Sequence, residues 1–150
     1  MHDNLTKVQR HRCMSAIHGR DTKPEMLVRS LLHKRGFRFR LHVKDLPGTP
    51  DIVLPKHRTV VFVHGCFWHK HRCRRGRAEP ATNRTFWRKK RAENVHRDRA
   101  VRQQLRRLGW RVIILWECEI GSTALPEIRS QSGMIGSPLP PNCKKDKTHD

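Results

Sequence analysis

The sequence predicts a single α/β domain built on a small mixed sheet with helices against it. Apolar segments occur in the order helix, three strands, helix, strand. The last strand is reached through a long helical segment, residues 84–107, and a crossover of that length returns a strand parallel to an earlier one. The chain has 150 residues, which suits one domain and not two.

The first helix is marked by Thr22-Lys23-Pro24-Glu25. Thr22 can cap it, Pro24 fits its first turn, and Glu25 has capping-box spacing. Leu27, Leu31 and Leu32 give it an apolar stripe, and Gly36 ends it. From Phe37 to Val43, apolar Phe37, Phe39, Leu41 and Val43 alternate with polar residues, the pattern of a half-buried strand. A Leu46–Pro50 turn leads to a short strand over 51–54. A further turn precedes the continuously apolar strand 59–63, expected at the sheet centre. Residues 64–82 form a long loop rich in His, Cys and Arg, and such loops are usually functional or held by a metal. On the long helix, Phe86, Val95, Val101, Leu105 and Leu108 are expected to face inward, with Gly109 closing its end. Residues 110–116 are the last strand. Gly, Ser, Pro and Lys dominate 121–150, which reads as a disordered tail.

Lysine and arginine number 33 against 13 acidic residues, a formal charge of +20. The excess is densest over residues 66–111, with 16 basic and 3 acidic side chains. A stripe this basic points to nucleic acid, against the blander reading of a solubilising surface. No apolar run approaches the roughly 18 residues of a membrane span, and the first thirty residues hold no signal-peptide core. A cytoplasmic protein with no membrane partner is therefore expected. Five cysteines, an odd count, argue for thiols or a metal rather than a disulfide framework.

The densest chemical signal is His64-Gly65-Cys66-Phe67-Trp68-His69-Lys70-His71-Arg72-Cys73. Structural zinc takes four S or N ligands. Cys66, Cys73 and one histidine supply three, and Cys118, just past the last strand, is the natural fourth; Cys143 in the tail is a weaker candidate. Spacing leaves open whether His69 or His71 ligates. Asp51 stands at a turn–strand junction, where a carboxylate can hold Mg²⁺ against a phosphate but is equally an ordinary turn residue. His64 and His69 suit either acid–base work or metal ligation. Glu25 taken alone reads as a capping-box residue. Phe67 and Trp68 either pack over the metal or act as wedges that unstack a base step.

These segments together resemble the very-short-patch-repair (Vsr) endonucleases. The resemblance runs through Gly19–Glu25, Leu46–Asp51, Val61–His69, Pro80–Thr82, Phe86-Trp87, Asn94–Asp98, Leu108–Val112 and Trp116–Cys118. His-Gly-Cys-Phe-Trp-His is its most specific piece. The resemblance implies a restriction-endonuclease-like fold and a Mg²⁺-dependent enzyme that nicks one DNA strand immediately 5′ of the T in a T:G mismatch, the lesion left by 5-methylcytosine deamination. By position, Asp51 would be a Mg²⁺ ligand and Val63 a second through its carbonyl. His69 would activate water, His64 would assist at the scissile phosphate or leaving group, and Glu25 would support the site. His71 then falls to zinc with Cys66, Cys73 and Cys118. Met14, Phe67 and Trp68 would intercalate, and Lys90 and Asn94 would read base edges.

On this reading residues 1–20 are an arm that contacts DNA, 21–120 the endonuclease domain and 121–150 the tail. Duplex DNA with a T:G mismatch is the expected partner of a monomer in the bacterial cytosol or nucleoid, with other mismatch-repair proteins as further candidates. Lys70, Arg72, Arg74, Arg75 and Arg77 make the loop more basic than the family pattern, which favours non-specific affinity. The competing readings are a zinc-stabilised DNA-binding module without catalysis and a sequence-specific restriction nuclease. The first gives no reason for Asp51, His64 and His69 to occur together; the second predicts cleavage of both strands of matched duplex.

Overall fold

A computed structural model describes residues 19–120, with Thr6, Val8, Gln9 and Arg12 before them. Most of the expected arm, including Met14, and the whole 121–150 segment lie outside the described residues. The elements run α1 (Lys23–Lys34), β1 (Arg40–Leu41), β2 (Ile52–Leu54), a 3₁₀ turn (Pro55–His57), β3 (Thr59–His64), α2 (Arg74–Arg77), α3 (Arg84–Arg107) and β4 (Arg111–Trp116). The sheet order is β1-β2-β3-β4. The first two pairings are antiparallel, and β3 and β4 run parallel, as the long crossover helix requires.

Both long helices end in the same way. After α1, the Gly36 N–H donates to His33 O and the Phe37 N–H to Leu32 O, with Gly36 at φ +79°. After α3, the Gly109 N–H donates to Arg106 O and the Trp110 N–H to Leu105 O, with Gly109 at φ +82°. This paired closure needs a left-handed residue, which glycine adopts without penalty. It also folds Phe37 and Trp110 back onto the core.

Strand alternation divides that core in two. Ile52, Leu54, Val61, Ile113 and Leu115 point to one side and pack with Val28 and Leu32 of α1. Val53 and Val60 point to the other and meet Leu105 of α3, with Phe62, Val101 and Val112 beside them. The sheet is therefore covered on both faces, which is why β3 reads as a continuous apolar run.

Two local expectations are corrected. The strand expected over 37–43 pairs only at Arg40 and Leu41, because His42 takes a left-handed conformation (φ +47°) that ends the ladder. Phe37 and Phe39 still pack on the core, but from loop positions. On α3, Phe86 and Leu108 are 58 % and 54 % exposed instead of inward. They sit at the two ends of the helix, and the buried positions between them include Arg91 and Asn94.

Candidate active site

The parallel register of β3 and β4 builds the first cluster. His64 pairs with Trp116, so the chains leaving the two strands travel together. The Glu117 N–H still donates to His64 O, 3.0 Å away. Two residues past each strand end lie Cys66 and Cys118, which therefore meet. The loop after β3 turns back through a bond from the His71 N–H to Cys66 O (3.0 Å), and Cys73 is the N-cap residue that precedes α2. Gly76 of α2 lies against the His71 backbone, where a Cβ would collide with main-chain atoms.

The result is a set of ligand atoms from Cys66, His71, Cys73 and Cys118, all within 4.8 Å of one another. His71 stacks on Trp116 at 4.3 Å and turns its Nδ1 to Cys118 Sγ at 3.3 Å. Ligand atoms of tetrahedral zinc stand about 3.5–3.8 Å apart, so three thiols and one imidazole at this spacing suit zinc. The thiols respond differently to their surroundings. Burial pushes Cys66 up to about 12, and partial desolvation of its sulfur also raises Cys118, although that residue as a whole is exposed. Burial opposes ionisation of Cys73 too. There the Gly76 N–H, His71 and the other two thiols outweigh it and bring the group down to about 6. A divalent cation would favour the thiolate at all three.

The second cluster lies at the same end of β3. Asp51, just before β2, accepts a hydrogen bond from the Val63 N–H at 2.8 Å. Burial raises its carboxyl to about 6, with the nearby Glu25 adding to the rise and the Val63 N–H opposing it. His64 is buried and stacks face to face on His69, centroids 3.8 Å apart and planes 10° apart. His69 Nδ1 meets Asp98 Oδ2 of α3 at 2.5 Å. Burial would raise Asp98, but the His69 hydrogen bond and the charges around it hold the group below its ordinary value. No sequence motif by itself marks Asp98 as a site residue. The available signal was its place four residues after Asn94, on the same helix face.

Glu25 occupies a third group, at the start of α1. Its backbone N–H donates to Thr22 Oγ1 (3.4 Å), and its carboxylate accepts from the Thr22 hydroxyl and the Asp21 N–H, each at 3.0 Å. Arg29, one turn on, donates to Glu25 (3.0 Å) and Asp21 (2.6 Å) and meets His42 Nε2 at 3.0 Å. Thr22 thus caps α1, the return bond of Glu25 reaches the Asp21 N–H instead of the cap's own, and the buried Arg29, which no sequence motif marks, neutralises the group. Glu25 faces Asp51 closely enough to affect its charge.

The aromatic residues form a third layer over the loop. Phe67, Trp68 and Trp87 make mutual edge contacts at 5.3–5.9 Å, and Phe86 extends the group from Trp87 at 5.2 Å. Phe67 and Trp68 are half-buried in it, and Lys90 is exposed on α3. Asn94 is buried; its amide donates to Trp68 O at 3.2 Å and its oxygen accepts from Arg97 at 3.1 Å. Among the described residues, no helix is long and apolar enough to cross a membrane.

The family model described as DNA mismatch endonuclease Vsr matches residues 2–75. A type II nicking enzyme of Xanthomonas oryzae pv. oryzae is 47 % identical over 129 residues, covering 86 % of this chain and 94 % of that protein. A second type II nicking enzyme, from Neisseria meningitidis, is 45 % identical over 125 residues, with 83 % and 89 % covered. The DNA mismatch endonuclease Vsr of Escherichia coli is 46 % identical over 120 residues, covering 80 % of this chain and 76 % of that protein.

Proposed function

The chain belongs to the DNA mismatch endonuclease Vsr family, and from that membership we propose that it nicks duplex DNA immediately 5′ of the T in a T:G mismatch. The observation that carries the proposal is the stacked His64–His69 pair backed by Asp98 at the end of β3, the strand whose Val63 N–H holds Asp51, beside a four-ligand sulfur–nitrogen cluster. A binding module has no use for a carboxylate–imidazole pair behind a second carboxylate. The four-stranded mixed sheet is compatible with a restriction-endonuclease-like fold. The proposed division of the chain is a DNA-contacting arm over 1–20, the nuclease domain over 21–120, and a tail. A monomer in the bacterial cytosol is the state proposed to act.

In this reading Cys66, His71, Cys73 and Cys118 would hold Zn²⁺, and Asp51 with the Val63 carbonyl would hold Mg²⁺. Zinc, when bound, fixes the loop, and magnesium supplies positive charge at the scissile phosphate. His69, oriented by Asp98 through Nδ1, takes the proton of the attacking water at its other ring nitrogen. Water oxygen bonds to phosphorus, the P–O3′ bond breaks, and the leaving oxygen takes a proton. The products are a 3′-hydroxyl and a 5′-phosphate. His64, stacked on His69, assists at the phosphate or at that leaving group. Glu25 supports Asp51 from α1. Met14, Phe67 and Trp68 enter the stack and Lys90, exposed on α3, reads base edges; Asn94, buried with its amide on Trp68 O, holds the loop from behind instead of reading a base.

The test is an incubation of purified protein and Mg²⁺ with end-labelled T:G and matched duplexes. Nicking confined to the T strand of the mismatch supports the proposal. Cleavage of both strands of matched duplex favours a restriction nuclease, and binding without cleavage favours a DNA-binding module.

A further inference from the structure

Arg91 is an unusual residue for the inner face of a helix: it is charged, yet only 4 % exposed. Its Nη1 donates to Ala78 O at 3.1 Å and its Nη2 donates to Gly76 O. These carbonyls close the C-terminal end of α2, the helix that follows Cys73. Positive charge there complements the helix end. The central carbon of the same guanidinium lies over the Phe67 ring, 4.6 Å from its centre. Arginine can do both at once, because its planar fork donates at the edge and stacks on its face; lysine cannot. One helical turn on, Asn94 holds the Trp68 carbonyl.

We propose that Arg91 is a positioning residue for mismatch discrimination: its guanidinium fixes the Phe67 ring in the attitude from which it probes the base stack. It is too deeply buried to serve as a phosphate contact. Its effect reaches DNA only through Phe67, and so the inference rests on the reading of Phe67 as a wedge. A ring free to turn would pay ordering entropy on insertion. That cost falls on the step that separates a mismatched pair from a matched one.

The experiment compares Arg91→Lys, Arg91→Met, Phe67→Leu and the Arg91→Met/Phe67→Leu double variant, each checked for zinc content. Nicking of T:G and matched duplexes gives discrimination, KM and kcat. A 2-aminopurine beside the mismatch reports unstacking by its fluorescence. With zinc retained, each Arg91 variant is expected to lose about tenfold in discrimination, chiefly through KM, with a weaker fluorescence rise. Lysine is expected to rescue little of it, and the double variant is expected to be no worse than Phe67→Leu alone. Parental discrimination in both Arg91 variants while Phe67→Leu is impaired overturns this inference and leaves the wedge standing. Parental discrimination in Phe67→Leu overturns the wedge and this inference with it. Loss of zinc in both Arg91 variants makes the residue a strut of the metal loop, and additive losses in the double variant remove the link to the ring; either result overturns the proposal.

Discussion

His69 and Asp98 face each other across 29 residues of sequence, Nδ1 to Oδ2 at 2.5 Å, with the His64 ring stacked on the face of the imidazole. A carboxylate in this position fixes which ring nitrogen carries the proton and stabilises the imidazolium that forms when the ring accepts another. Asp98→Asn keeps the shape and loses both effects. Single-turnover nicking of a T:G duplex is expected to fall about 10²–10⁴-fold, with DNA affinity little changed. Nicking at the parental rate would remove His69 from the role of base.

Cys73→Ser and Cys118→Ser are each expected to lose bound zinc and to lower the unfolding temperature, since a structural metal contributes its binding energy to the fold. Cys118 is exposed, so its replacement by serine costs little burial, and the destabilisation there reports the metal. Elemental analysis with thermal unfolding decides it. A zinc-free preparation of full stability would contradict the assignment.

Asp51 makes stability and activity oppose each other. Its carboxyl titrates at about 6 in the fold, against an ordinary value of 3.8. A raised acid favours the fold when protonated, so this group's contribution is fully present below 3.8 and is lost as pH rises through about 6. Asp51→Asn, measured without magnesium, is therefore expected to unfold at a higher temperature than the parent above pH 6. The gap is expected to be at most about 3 kcal/mol, from roughly 1.4 kcal/mol per pH unit, and to close near pH 4. Nicking is expected to be abolished. Equal stability at pH 8 would mean that Asp51 is not a burdened carboxylate.

The charge of +20 makes DNA binding a matter of counterion release. With six or more phosphates neutralised, log K is expected to fall against log salt with a slope of roughly −5 or steeper. A nearly flat salt titration would remove the electrostatic argument.

Local chemistry explains what was legible in the sequence. Thr22, Pro24 and Glu25 specify a helix start by contacts within one turn, and α1 begins there. The long 84–107 segment implied a parallel return, and β4 makes it beside β3. Spacing joins Cys66, Cys73 and Cys118 with either His69 or His71, the resemblance selects His71, and the ligand atoms of these four converge. What escaped notice depends on partners distant in the chain. Arg91 looks like one more charge on a basic helix until the carbonyls of Gly76 and Ala78 are brought to it. Arg29 likewise gains its meaning from His42 as well as from Glu25 and Asp21. The alternation from Phe37 to Val43 marks Phe37, Phe39 and Val43 as core-facing but fails at Leu41, which is exposed, and periodicity carries no information about the left-handed turn at His42 that cuts the strand short.

The most direct test of the account joins recognition to chemistry in one measurement. Parent and Asp51→Ala proteins are mixed in single turnover with a T:G duplex labelled separately on each strand, and binding is recorded in the same samples. The parent is expected to give one nick, 5′ of the T, leaving a 3′-hydroxyl and a 5′-phosphate. Asp51→Ala is expected to bind the mismatch as well as the parent and to leave both strands intact. Nicking by Asp51→Ala at the parental rate, or parental cleavage that ignores the mismatch, would contradict the account.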